Sequence, residues 1–207
     1  MLAAKRSIHM KSKKEICREI CDQAKETHFF DPLTKLPPFD EISLSALLCI
    51  YHQAHRIRWE DIPLILPSCE PSGRTAADIF GIPGYLCGEY PLFWETNDQR
   101  RDRGGLRPDL LFLSSDQRIA AFIENKIGAG YKDDSYGGQF GRYAKYLVEA
   151  RVHEPYLLLL TSTSFISRMP PWYVRELQKA VKLRSPGRGV QAFVMLWEDV
   201  LRAYNPG

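Results

Sequence analysis

The chain of 207 residues has no long apolar run, no paired-cysteine pattern and no surplus of one charge. No stretch approaches the ~20 apolar residues of a membrane span. The basic residues 1–14 have no apolar segment behind them, so a secretory signal is not expected there. The five cysteines, Cys17, Cys21, Cys49, Cys69 and Cys87, are odd in number and lack paired C-x-x-C spacing. That excludes a disulfide framework and a zinc ribbon, and points to reduced, partly buried thiols in a cytoplasm. The net charge of +3 permits a nucleic-acid partner without demanding one. Internal repeats and low-complexity tracts are also missing.

What is present is ordinary for a globular protein, with 44% hydrophobic and 26% charged residues. A chain of this length can bury roughly 70% of its unfolded surface without a disulfide or metal staple. The composition divides the chain into a basic arm with one helix, residues 1–28, and a single globular domain, residues 29–207. Helices are expected at 15–26, 42–55, from about 138 onward, at 172–183 and at 198–204. Strands are expected at 89–97, at 156–161 and at 189–196. Residues 59–88, dense in Pro and Gly, read as loops and short turns. The expected class is α/β, a mixed β-sheet flanked by helices on both faces.

The informative stretch runs from Arg107 to Tyr143. Two apolar runs, R-P-D-L-L-F-L and R-I-A-A-F-I-E-N-K-I, flank Ser114-Ser115-Asp116-Gln117 and read as a β-hairpin. Glu124 and Lys126 share a face of the second strand, their backbones roughly 6.6 Å apart. If residues 114–117 form the loop, Leu113 pairs with Arg118 and Asp109 with Phe122. Asp109 then lies on the face of Glu124, one diagonal step away. A two-residue loop gives the same register, and an odd loop turns Asp109 to the opposite face. Two carboxylates and an ammonium on one face are costly to bury without a reason. A divalent cation supplies one, since Mg²⁺ takes hard oxygen ligands together with waters and substrate phosphate.

Pro108-Asp109 followed by Glu124-Asn125-Lys126 resembles the PD-(D/E)xK nuclease superfamily. The Gln139-x-x-x-Tyr143 element is similar to a helix motif of several of its branches, and I-E-N-K-I with Q-x-x-R-Y is similar to uncharacterised bacterial and phage members. The resemblance covers the middle of the chain well and its ends loosely. It implies a restriction-endonuclease-like core and a Mg²⁺-dependent nuclease, with Mn²⁺ as a substitute. It implies metal ligation by Asp109 and Glu124, assistance to hydrolysis by Lys126, and orientation of water or substrate by Gln139. An early-helix acid near the metal, for which Glu41 is the candidate, is implied as well. So is a homodimer for double-strand cleavage.

Further candidates come from position. The Asn125 backbone carbonyl is a third metal oxygen, and Glu95 an additional ligand if its strand lies beside Asp109. Arg100, Arg101, Arg103 and Arg107 suit phosphate oxygens, or form a mobile surface hairpin. Tyr143 is either a nucleic-acid contact or a core aromatic. His52 and His55 make a poor metal pair without a third ligand. DNA is the favoured substrate. Two alternatives stand beside nuclease activity: a non-catalytic nucleic-acid- or protein-binding module, and a structural ion-pair cluster.

Overall fold

Alternate residues of the segment 119–127 feed two different cores, which makes it the centre of the architecture. Ile119, Ala121, Ile123 and Ile127 pack into one apolar cluster, while Ala120 and Phe122 pack into another. A strand apolar on both sides must be covered on both sides. The computed structural model describes residues 13–26, 41–88, 107–127, 138–167, 169, 171–183 and 188–205.

In chain order the described elements begin with α1 (Lys13–Glu26), α2 (Glu41–Gln53) and a 3-10 turn at Trp59–Asp61. They continue with β1 (Pro63–Ile65), β2 (Pro71–Thr75), the single turn α3 (Ala77–Phe80) and β3 (Gly84–Gly88). The hairpin β4 (Leu110–Ser114) and β5 (Ile119–Lys126) follows, then α4 (Gln139–Glu149) and β6 (Glu154–Thr161). The short α5 (Thr163–Ile166), α6 (Pro171–Ala180), β7 (Gln191–Leu196) and α7 (Trp197–Ala203) complete the set.

The seven strands form one mixed sheet in the order β2-β1-β7-β6-β5-β4-β3. β5, β6 and β7 run parallel, and the remaining pairings are antiparallel. Residues of α1, α2, α3 and α7 cover one face with Leu110, Phe112, Leu158, Leu160, Phe193 and Met195. α4 and α6 cover the other, over Ala120, Phe122, Leu157, Leu159, Ala192 and Val194. No described helix is long and apolar enough to cross a membrane.

The region 59–88 corrects the expectation of loops: it contributes three strands and a helical turn. Proline opens both β1 and β2, at Pro63 and Pro71. The first residue of a strand is a place where a missing N–H is tolerated. The expected strand at 89–97 lies outside the described residues, as do residues 1–12 of the basic arm.

α4 starts where the sequence places it. Phe140, Tyr143, Ala144 and Leu147 recur at i, i+3, i+4, i+7 and are all buried. Burying Phe140 and Leu147 contributes roughly 1.5–3 kcal/mol each. That outweighs the cost of Gly141, about 1 kcal/mol, and of an N-cap, Gly138, that makes no side-chain hydrogen bond.

Candidate active site

The hairpin register decides what meets. Leu110 pairs with Ile123, Leu111 with Phe122 and Leu113 with Ala120. The expected pairing of Leu113 with Arg118 is therefore corrected by two residues. The physical cause is Ser114, which is buried and belongs to β4. Its hydroxyl accepts the Ile119 N–H at 2.9 Å and donates to Asp116 Oδ1 at 2.5 Å. The loop becomes residues 115–118, with Gln117 at a positive φ of 59°. Four residues still separate the strands, as the even loop requires. Asp109 lies just before the last paired residue, outside the ladder, and its charge acts on Glu124.

β4 stops at Leu110. Pro108, at the register position opposite Asn125, has no N–H to offer a ladder. The Asp109 side chain takes over, its Oδ2 accepting the Asn125 N–H at 2.7 Å. The N–H and C=O of one strand residue leave on the same side, so the Asn125 carbonyl is also directed toward Asp109. On the other side of β5, Thr161 Oγ1 donates to the Lys126 carbonyl at 2.5 Å.

Glu124 is 1% exposed and engaged through both oxygens. Lys126 Nζ binds Oε1, and Gln139 Nε2 donates to Oε2 at 2.7 Å. The same Gln139 amide donates to the Tyr143 hydroxyl at 2.8 Å. Tyr143 in turn lies 3.0 Å from the Arg107 carbonyl and 3.3 Å from Glu124 Oε2. Gln139 and Tyr143 meet because i and i+4 share one face of α4. The cluster is open to solvent along one edge: Asp109 and Gln139 are partly buried, and the Lys126 side chain is 20% exposed.

Burial pushes the Glu124 carboxyl up to about 7, and the neighbouring Asp109 charge adds to the rise while Lys126 opposes it. Burial likewise raises the Tyr143 hydroxyl, helped by the charge of Glu124, so it stays protonated and can donate. Tyr143 is 1% exposed, which corrects its reading as a nucleic-acid contact: it is a core aromatic whose hydroxyl reaches the cluster.

Asp109 also forms part of the wall of a cleft of about 790 Å³ between α2 and β3, with Ile42, Ala46, Cys49, Leu86 and Cys87. Glu124 and Lys126 are not among its lining residues. Arg107 is exposed beside Asp109. Arg100, Arg101, Arg103 and Glu95 lie outside the described residues, as does the side chain of Glu41 at the start of α2. His52 is buried with its ring edge-on to Trp59, Phe80 and Phe112, while His55 is exposed.

Among the described residues no group of three or more His, Cys, Asp or Glu side chains is arranged to hold a metal ion. Asp109 and Glu124 are two hard carboxylates near enough to interact, a donor set that suits Mg²⁺ when waters and phosphate complete it. A cation there would answer the repulsion between the two carboxylates, and would compete with Lys126 for Glu124.

Sequence reasoning did not find Ser45 and Trp197, which hydrogen-bond the Asn125 side chain. A signal existed: Asn125 is the one polar residue in the row Ile119, Ala121, Ile123, Asn125, Ile127. No family model, no curated protein and no solved structure matches this chain.

Proposed function

We propose that the protein is a metal-dependent nuclease that hydrolyses phosphodiester bonds, with DNA the favoured substrate. The observation that carries this reading is that Asp109 lies close enough to Glu124 for its charge to raise that carboxyl, while Lys126 is in contact with Glu124. The element order supports it too. Antiparallel β3-β4-β5, a crossover through α4 and parallel β6 agree with the restriction-endonuclease-like core that the resemblance implies.

Asp109, Glu124 and the Asn125 carbonyl would hold Mg²⁺, which when bound polarises a phosphoryl oxygen and lowers the pKa of a coordinated water. Gln139 keeps the Glu124 carboxylate aimed along the sheet face. Tyr143 fixes Gln139 from below and ties it to the Arg107 backbone. Lys126 reaches solvent at the same edge, where its ammonium can orient the attacking water and offset developing charge on phosphate. The exposed Arg107, two residues before Asp109, would supply a guanidinium for a phosphate oxygen.

Supercoiled, linear and single-stranded DNA, and RNA, incubated with Mg²⁺ or Mn²⁺ test the reading. Cleavage of at least one substrate is expected, with full loss in EDTA. Lys126→Ala is expected to lower kcat by about 10²–10³-fold while the circular-dichroism spectrum stays that of the parent. Unchanged metal-dependent turnover in that variant would end the assignment.

One observation favours a second reading, a binding module without turnover: both Glu124 oxygens are already held by side chains of the chain itself. Calorimetry with Mn²⁺ beside a plasmid-nicking assay separates the two. Mn²⁺ uptake with no nicking of any substrate selects the module.

A further inference from the structure

The end of β5 is supported by a strand on one side only. The β4 ladder finishes at the Leu110–Ile123 pair, so Glu124, Asn125 and Lys126 are strand-paired through β6 alone. An end of that kind frays unless something replaces the missing neighbour, and the three groups of the proposed site hang on it.

Asn125 supplies the replacement on two sides. Its backbone N–H is the donor that holds Asp109 Oδ2 at 2.7 Å. Its side chain points to the opposite face of the sheet, away from Glu124 and Lys126, and is 1% exposed. There Nδ2 donates to Ser45 Oγ at 2.9 Å, and Trp197 Nε1 donates to Oδ1 at 2.9 Å. An indole N–H can only donate, which fixes the orientation of the amide. Ser45 comes from α2, and Trp197 opens α7 directly after β7, so the amide is gripped by two separate elements. Trp197 is fully buried and Ser45 is 6% exposed.

A β-branched apolar residue would suit this position by strand preference and by the company of Ile123 and Ile127. A buried amide is costly unless it is hydrogen-bonded, and buried polar networks are the kind that select one geometry over its neighbours. Stability alone does not explain the choice of Asn.

We infer that Asn125 is a positioning residue for the site: its clamped side chain fixes the strand end from behind, and thereby sets the spacing of Asp109, Glu124 and Lys126. This rests on the nuclease reading. Asn125→Val removes both side-chain hydrogen bonds, and Trp197→Phe and Ser45→Ala remove one each. For Asn125→Val, kcat and Mn²⁺ affinity are each expected to fall about 10–100-fold, the range for groups that orient metal ligands, with KM for nucleic acid unchanged. Trp197→Phe is expected to move the same two quantities by less, and to add nothing on top of Asn125→Val. A folded Asn125→Val protein with parental kcat and Mn²⁺ affinity overturns the inference. If that variant does not fold, parental values in both Trp197→Phe and Ser45→Ala overturn it.

Amide hydrogen exchange at Asn125 keeps the two readings apart. If the parent protein neither binds Mn²⁺ nor cleaves any substrate, the nuclease reading fails and takes the functional role of Asn125 with it. Faster Asn125 exchange in Trp197→Phe, relative to Leu158 in β6, still establishes the clamp on Asp109. Unchanged exchange removes the clamp as well.

Discussion

Glu124 is a carboxylate buried against a second carboxylate, and its protonation is linked to folding. Its carboxyl is raised to about 7 in the folded protein from an ordinary value of 4.5. Between those values the folded chain binds more protons than the unfolded one, so this residue's contribution to stability falls as pH rises through the window. The full cost, roughly 3 kcal/mol at most, is felt above pH 7. Urea unfolding in EDTA from pH 4.5 to 8 checks this. Glu124→Gln is expected to remove that component, leaving a stability difference from the parent that grows toward high pH. A difference independent of pH contradicts it. Tyr143→Phe belongs beside it. The variant strips an acceptor from Gln139 and a donor from the Arg107 carbonyl, and is expected to cost about 1–3 kcal/mol in the same assay. Because Tyr143 is buried, its loss should leave nucleic-acid affinity at low salt unchanged in a filter-binding measurement.

Among the elements, the β4-β5 hairpin was legible and the strands before it were not. Period-two alternation and an even loop were enough to pair the two strands and to bring Asp109 near Glu124. The register slipped by two because Ser114 reads as a turn residue, yet its hydroxyl is satisfied inside the strand. β1, with three residues, and β2, with five, have no periodicity to detect, and their prolines suggest turns. The contacts of Asn125 with Ser45 and Trp197 span 80 and 72 residues, a distance at which local pattern carries no information. The start of α4 was legible from its glycines, and Gly138 has a specific task there. Its φ of 73° with ψ of 152° is backbone that side chains resist. An added Cβ would also fall 2.1 Å from the Glu176 carboxyl, a group at the flexible end of its side chain. Gly138→Ala is thus expected to cost about 1–3 kcal/mol from backbone strain, read by thermal unfolding. It should lower cleavage as well, since Gln139 is the next residue.

For the chain as a whole, a metal that binds only the folded form must stabilise it. At 100 times its Kd, Mn²⁺ is expected to add about 2.7 kcal/mol, or roughly 5–10 °C in Tm for a chain of this size. Asp109→Ala should abolish the shift, and a shift of equal size in that variant would place the ion elsewhere. Assembly has its own constraint, set by the strand order. β1 lies between β2 and β7, Ile57 bridges to Tyr204, and α1 packs on α7. During synthesis, residues 57–75 therefore have no place in the sheet until residues 191–204 have left the ribosome. The Asp-Glu-Lys cluster is translated well before that, but the indole that braces it from behind arrives only with Trp197. A nascent chain would therefore carry every proposed catalytic group while still lacking a brace for the strand that holds them, so activity would mature only once Trp197 has joined the fold.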